Sequence, residues 1–113
     1  MSVSDTASSA KIQLKHGTLF LLDDLQRGDL SAFQSGCEEL ARISNSKVIL
    51  DLTKCTYVSS LFIGVLVEAV TQMKTDGKEV SVYVSPEVGR FLHMAHLYHL
   101  FTYQIVDTHL DTK

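Results

Sequence analysis

The sequence predicts a single small α/β domain, in which a mixed sheet of four to five strands carries helices packed mainly on one face. Its 113 residues are enough for one domain with one hydrophobic core. Segments with the apolar spacing of strands alternate with segments in which apolar residues recur every three or four positions, as in helices. The predicted order is β-β-α-β-α-β-α-β, and such alternation favours parallel strands joined by right-handed crossovers.

The domain is expected to span residues 11–108, between a flexible N-terminal tail, 1–10, and a short C-terminal tail, 109–113. Residues 1–10 lack a cationic start followed by an apolar run, so they do not resemble a secretory signal. Lys11–Lys15 and Thr18–Leu22 have the spacing of strands and flank a glycine at position 17. Together they predict a β-hairpin.

The first helix is predicted after the polar linker 23–29. Its apolar residues recur three or four positions apart and therefore share one face: Leu30, Phe33, Cys37, Leu40 and Ala41. Asn45 and Ser46 end this helix. Lys47–Leu52 follows with three consecutive apolar residues, a pattern typical of a strand covered on both faces, and this predicts the central strand.

A second helix is predicted from Ser60, as its N-cap, to the Asp76-Gly77 pair, where glycine suits the left-handed conformation beyond the last turn. One stripe of this helix packs on the sheet: Phe62, Ile63, Leu66, Ala69, Val70 and Met73. A different face carries Leu61, Val65, Glu68 and Gln72. We expect Leu61 and Val65 to be partly exposed, as contact surfaces often are, unless a neighbouring helix covers them.

The remaining elements are a strand, a helix and a final strand. Glu79–Val84 alternates valine with other side chains, and Ser85-Pro86-Glu87 supplies a cap, a proline at the first helical position and an acid in the first turn. The third helix is expected to bury Val88, Phe91, Leu92 and Ala95. The last strand is predicted at Thr102–Val106.

Composition and charge narrow the classes of partner. The formal charge of −3 is spread along the chain, so no basic stripe is available for nucleic acid or an anionic membrane surface. The longest apolar stretch, Leu61–Val70, is interrupted by Glu68 and is too short to span a membrane. Cys37 and Cys55 have no CxxC spacing and are expected to be reduced packing residues. We therefore expect a cytoplasmic protein that binds another protein and needs no cofactor.

Ser59 and Ser60 follow the C-terminal end of the predicted central strand, the edge at which open α/β sheets place functional sites. A helix N-terminus has unpaired amides and a partial positive charge, so it can stabilise a phosphate. Most serines at such positions are only caps. The spacing alone leaves open a regulated serine or a plain cap.

Several short motifs resemble those of a known family. Asp51-Leu52-Thr53, Tyr57-Val58-Ser59-Ser60 and Gly64-Val65-Leu66 look like the signature of the STAS domain, found in bacterial anti-sigma factor antagonists and in sulfate transporter tails. The resemblance to the family extends from about Lys11 to Val106. Later motifs that share it are Gly77-Lys78-Glu79-Val80, Ser85-Pro86 and Leu97-Tyr98-His99-Leu100-Phe101.

The resemblance implies a partner switch. The unmodified domain binds a serine kinase or anti-sigma factor, phosphorylation by that kinase releases it, and a metal-dependent serine phosphatase restores it. The family's phosphorylated serine falls on Ser60, with Ser59 as the alternative in a place that often holds Asp. The expected partner-binding residues are Ser59, Leu61, Val65 and Glu68.

The chain departs from the family pattern in three places. Leu61 and Phe62 replace a small residue and a glycine after the phosphorylated serine, and His96 replaces a glycine before the last strand. The sequence also predicts no C-terminal helix. The bulky residues after Ser60 suit a divergent partner.

Three other functions are alternatives to the partner switch: a metal site, a hydrolase and a constitutive scaffold. His93, His96 and His99 are three residues apart, but no Cys or carboxylate nearby completes a metal site. A hydrolase that used Ser59 or Ser60 lacks the G-x-S-x-G pattern and a local histidine, so we expect no catalytic residue. The third is a constitutive STAS-like scaffold subunit of a larger signalling or transport complex, in which no serine is modified.

Overall fold

The computed structural model describes residues 11–44 and 46–107. Its five strands are β1 (Ile12–Lys15), β2 (Thr18–Leu21), β3 (Lys47–Leu52), β4 (Glu79–Val84) and β5 (Gln104–Ile105). Its helices are α1 (Leu30–Ile43), α2 (Ser60–Thr75) and α3 (Pro86–Met94), and a short 3-10 turn, Arg27–Asp29, precedes α1. The element order is the predicted one. The tails expected at 1–10 and 109–113, and residue 108, lie outside the described residues.

The sheet follows chain order, β1-β2-β3-β4-β5, with only β1 and β2 antiparallel. β3 is therefore the central strand, as predicted. Successive right-handed crossovers that step in one direction place their helices on one face. Accordingly, α1 contacts β1 and β2, α2 contacts β4, and α3 contacts β4 and β5. Leu19, Leu50 and Val82 lie side by side on this face and are buried.

The opposite face of the sheet carries no helix among the described residues, which corrects the expectation that β3 is covered on both faces. Ile49 points to this face and is only partly buried, between Thr18 of β2 and Ser81 of β4. Neighbouring side chains on a central strand shield one another. An apolar residue is tolerated there without a second layer of helices.

The hairpin between β1 and β2 has the two-residue turn that the glycine predicted. His16 and Gly17 have φ angles of 52° and 78°, the positive values that both central residues of a type I′ turn need. The carbonyl of Gly17 also accepts a hydrogen bond of 3.1 Å from the amide of Ile49. This bond ties the hairpin to the central strand.

The core forms between the sheet and the three helices. Phe33 of α1 and Phe62 of α2 meet with ring centroids 5.0 Å apart. Cys37 and Cys55 are free and buried, so both are packing residues, as predicted. The stripe predicted for α2 is confirmed, with these members buried and Ala69 partly buried: Phe62, Ile63, Leu66, Val70 and Met73.

The last third of the chain departs most from the prediction. Val88 and Leu92 are buried, but Phe91 is 36% exposed and Ala95 is exposed, so the expected burial of these two residues is wrong. The reason is that α3 lies over β4 and β5, at the edge of the sheet, and packs through a narrower stripe. Gly89 lies in that stripe, and the side chain of Ile105 occupies the space that a side chain at position 89 would need.

The final strand is also shorter than predicted. β5 has only two residues, Gln104–Ile105, because the chain before it forms turns and places Phe101 in the core. His96 has a φ of 60°, a left-handed conformation, at the position where the family pattern has glycine. In the part of the chain that the structure describes, no helix is long and apolar enough to cross a membrane.

Candidate functional site at the start of helix α2

The candidate site lies where the parallel strands end. The segment that follows β2 and the segment 53–59 that follows β3 meet at this edge of the sheet, and α2 begins there. The N-terminus of α2 contains Ser59, Ser60 and Leu61. The shape of this site depends on how the segment 53–59 is held.

Asp24, after β2, holds the middle of that segment. Its carboxylate accepts hydrogen bonds from the amide of Thr56 at 2.7 Å, from the Thr56 hydroxyl at 3.0 Å and from the amide of Tyr57 at 3.2 Å. Partial burial raises the pKa of Asp24, but the bonds from Thr56 and Tyr57 and the charge of Lys11 outweigh it, so the pKa lies below its ordinary value. Asp24 is thus an ionised clasp between two loops.

Two further anchors flank the clasp. Asp51 accepts bonds from the amide of Thr53 at 2.9 Å and from its hydroxyl at 2.7 Å, which accounts for the Asp-Leu-Thr motif as a turn at the strand end. Ser85, which is buried, donates its hydroxyl to the carbonyl of Cys55 at 2.6 Å and caps α3 by accepting from the amide of Val88. The segment before α2 is therefore held at several points along its length.

The cap of α2 is Ser59, which corrects the prediction of Ser60 by one residue. Ser59 has extended backbone angles, and its Oγ accepts a 3.0 Å bond from the amide of Phe62. With this cap, Val58 before it and Ile63 in the first turn are both buried, as in a hydrophobic staple. A cap at Ser60 would have placed Gly64 at the second staple position. Ser60 is instead the first helical residue, and it is exposed.

An exposed patch lies beside Ser60. Leu61 is 49% exposed, Val65 is partly buried against the core, and Glu68 is exposed. The helical spacing therefore placed these residues correctly, and α1 covers Val65 only in part. Ser59 is half-buried and uses its oxygen in the cap.

Sequence reasoning missed Tyr57, which is 61% exposed. Its side chain lies near Leu25 and Phe62, which places it beside the first turn of α2. An aromatic residue between polar Thr56 and the buried Val58 was the available signal, since tyrosine is enriched at protein contacts. We call the set Tyr57, Ser60, Leu61, Val65 and Glu68 the α2 patch.

The three histidines considered as metal ligands lie around the ring of Tyr98. The ring of His93 stacks on Tyr98 at 5.3 Å, and His96 and His99 lie 6.4 and 5.8 Å from the same ring. Within residues 11–44 and 46–107, no group of three or more His, Cys, Asp or Glu side chains is arranged to hold a metal ion.

The two thiols are held in their neutral form. Burial, with the charge of Glu38, raises the pKa of Cys37 to about 12, and burial, with the carboxylates of Asp24, Asp23 and Asp51, raises that of Cys55 to about 12. A nucleophilic cysteine needs the opposite surroundings, with its pKa lowered toward neutrality. Both thiols are therefore suited to packing.

A comparison with protein-family models matches residues 8–107 to the family described as Mlab, STAS domain. A search of curated proteins finds no match. The matched range contains all the strands and helices described above and the whole α2 patch.

Proposed function

Because the chain belongs to the STAS domain family, we propose that it is a regulatory module that binds another protein through the α2 patch. The observation that supports this most is the exposure of Tyr57 and Leu61 on both sides of Ser60 along the chain, with Tyr57 in the loop that Asp24 holds in place and Leu61 in the first turn of α2. Two large apolar side chains on an anchored segment are typical of a contact that is centred on a few residues. We propose no catalytic role for the chain.

We further propose that phosphorylation of Ser60 releases the partner. Ser60 is exposed and is the first residue of α2, so its hydroxyl is open to a kinase and its phosphate would lie near the positive end of the helix. The fold would keep its stability. A partner seated against Leu61, however, would have to bury about two negative charges beside an apolar contact, which disfavours the complex strongly.

The partner class follows from the family resemblance. The proposed partner is a serine kinase or anti-sigma factor, with a metal-dependent serine phosphatase that restores binding. The proposed site of action is the cytoplasm, which agrees with two free and buried cysteines, since reducing compartments keep thiols unpaired.

The experiment that tests this proposal isolates the protein from its native cells. Intact-mass measurement should show a fraction that carries one added phosphate, and peptide mapping should place it on Ser60. The protein that copurifies should be bound to the unmodified fraction only. A phosphate found on Ser59 alone would move the switch to the capping residue.

A constitutive scaffold is the second candidate. The observation that favours it is that Tyr57 and Leu61, which flank Ser60 in the chain, expose large side chains that a permanent interface would cover. This candidate predicts a stable complex from native cells in which Ser60 carries no phosphate under any growth condition. The mass measurement above separates the two candidates.

A further inference from the structure

A groove separates α1 from α2 on the outer side of the helical layer. It has a volume of about 490 Å³ and is walled by residues of both helices. On the α2 side it extends from Val65 to Asp76, the residue that follows the helix, which corresponds to a length of about 16 Å, or three helical turns. The groove thus begins within the α2 patch and continues it away from Ser60.

The floor of the groove is made of small side chains. Ala41 of α1 and the α2 residues Val65 and Ala69 line the groove, and all three are partly buried against the core. Short side chains at facing positions leave unfilled space between two packed helices. Apolar side chains of another chain fit such a space.

The rim of the groove is acidic. Glu38 of α1 and Glu68 of α2 are exposed on opposite walls, and Asp76 stands at the far end. Arg42 is the cation among the groove's lining residues, and its guanidinium is paired with Glu39. Three carboxylates against one paired guanidinium favour an occupant with positive charges at its edges.

We propose that this groove receives a basic amphipathic helix of the partner protein. About three turns of helix match the length of the groove, with apolar residues on the floor and Lys or Arg beside Glu38 and Glu68. The inference rests on the proposed function, since it names the part of a protein partner that the module binds. It adds a contact on α1, which the α2 patch does not contain.

Photo-cross-linking tests the position and the chemistry of the occupant. A photoactivatable amino acid is placed at Gln34, on the α1 wall of the groove, and in a second protein at Leu61, in the α2 patch. Each is irradiated in complex with the protein that copurifies from native cells. At Gln34 we expect a partner peptide with Lys or Arg and apolar residues at helical spacing. A cross-link at Leu61 with none at Gln34 overturns the groove alone, and none at either position overturns the proposed function as well.

Charge reversal tests the acidic rim. The probe is the cross-linked partner segment, made as a labelled peptide, and its affinity is measured by fluorescence anisotropy at low salt. Glu38→Lys should weaken binding about tenfold, and added salt should weaken the wild-type complex in the same direction. Glu79→Lys, an exposed change of the same size at the start of β4, is the matched control and should leave binding unchanged. Equal affinity for Glu38→Lys and wild type, an acidic peptide, or a cross-link to a second copy of this chain overturns the inference.

Discussion

At Leu61, a substitution should change the affinity for the partner strongly and the stability of the fold only slightly. Because its side chain is half exposed, Leu61→Glu should change the free energy of unfolding by no more than about 0.5 kcal/mol. The same change places a charge in the proposed contact, so affinity for the copurified partner should fall by tenfold or more, on the order of 1.4 kcal/mol. Urea unfolding and titration calorimetry measure the two effects.

Thr71→Glu is the control for Leu61→Glu, since Thr71 is exposed on α2 outside the α2 patch. It should leave both stability and affinity unchanged. Loss of the fold in Leu61→Glu, seen by circular dichroism, would show that the side chain is buried and would remove it from the interface.

The two serines at the start of α2 differ in what they contribute to stability. Ser59→Ala removes the oxygen that accepts from the amide of Phe62 and should cost about 1 kcal/mol of stability. Ser60→Ala removes no cap and should cost clearly less. Denaturant midpoints of the two variants give the order directly, and a larger loss in Ser60→Ala would contradict the assignment of the cap.

The lowered pKa of Asp24 predicts how the stability of the folded protein depends on pH. Its pKa in the folded protein lies below the ordinary value of 3.8, so the unfolded chain takes up a proton first as pH falls. The stabilisation is therefore complete above pH 5 or so and is lost as pH falls through about 4 and below. Asp24→Asn should show a smaller loss of stability between pH 5 and pH 3 than the wild type. Identical pH profiles would mean that the clasp has no energetic role.

At the scale of elements, α2 combines a buried stripe with an exposed patch on one helix. Leu66 lies in the buried stripe and is fully covered. Leu66→Ala should therefore cost about 2–5 kcal/mol, because the truncation leaves a cavity in the core. A loss below about 1 kcal/mol in urea unfolding would show that α2 packs less tightly than its burial implies.

The sequence predicted those elements whose signal is local. β3 and β4 have the predicted bounds, and the hairpin turn follows from one glycine. Phe91 was misplaced because helical spacing does not reveal that a helix lies at the edge of a sheet. The cap was misplaced because two adjacent serines are equally good caps, although the apolar pair Val58 and Ile63 could have decided between them.

At the scale of the whole molecule, the candidate site was predictable only in part. The exposure of Leu61 and Glu68 followed from their positions on α2. Asp24 could not be foreseen, because its partners Thr56 and Tyr57 lie more than thirty residues away along the chain. The groove also depends on two helices that meet only in the folded protein.

In the molecule as a whole, the fold holds the start of α2 in a fixed position. The sheet brings the loops after β2 and β3 together, Asp24 and Ser85 fix the second of these loops, and α2 starts from it. We therefore expect a phosphate on the first residue of α2 to change the proposed binding surface without a change of fold. Circular dichroism and the unfolding midpoint should be the same for unmodified protein and for Ser60→Asp, because aspartate is also favourable in the first turn.

The affinity of the copurified partner for Ser60-phosphorylated protein tests the central claim most directly. The phosphorylated protein should bind at least about a hundredfold more weakly than the unmodified protein, since an unpaired charge buried in an interface costs about 3–5 kcal/mol and each 1.4 kcal/mol is about tenfold in affinity. Ser60→Asp should also bind more weakly, whereas Ser60→Ala should bind at least as well as wild type. Equal affinity of the phosphorylated and unmodified proteins, both shown to be folded, would contradict the phosphorylation switch.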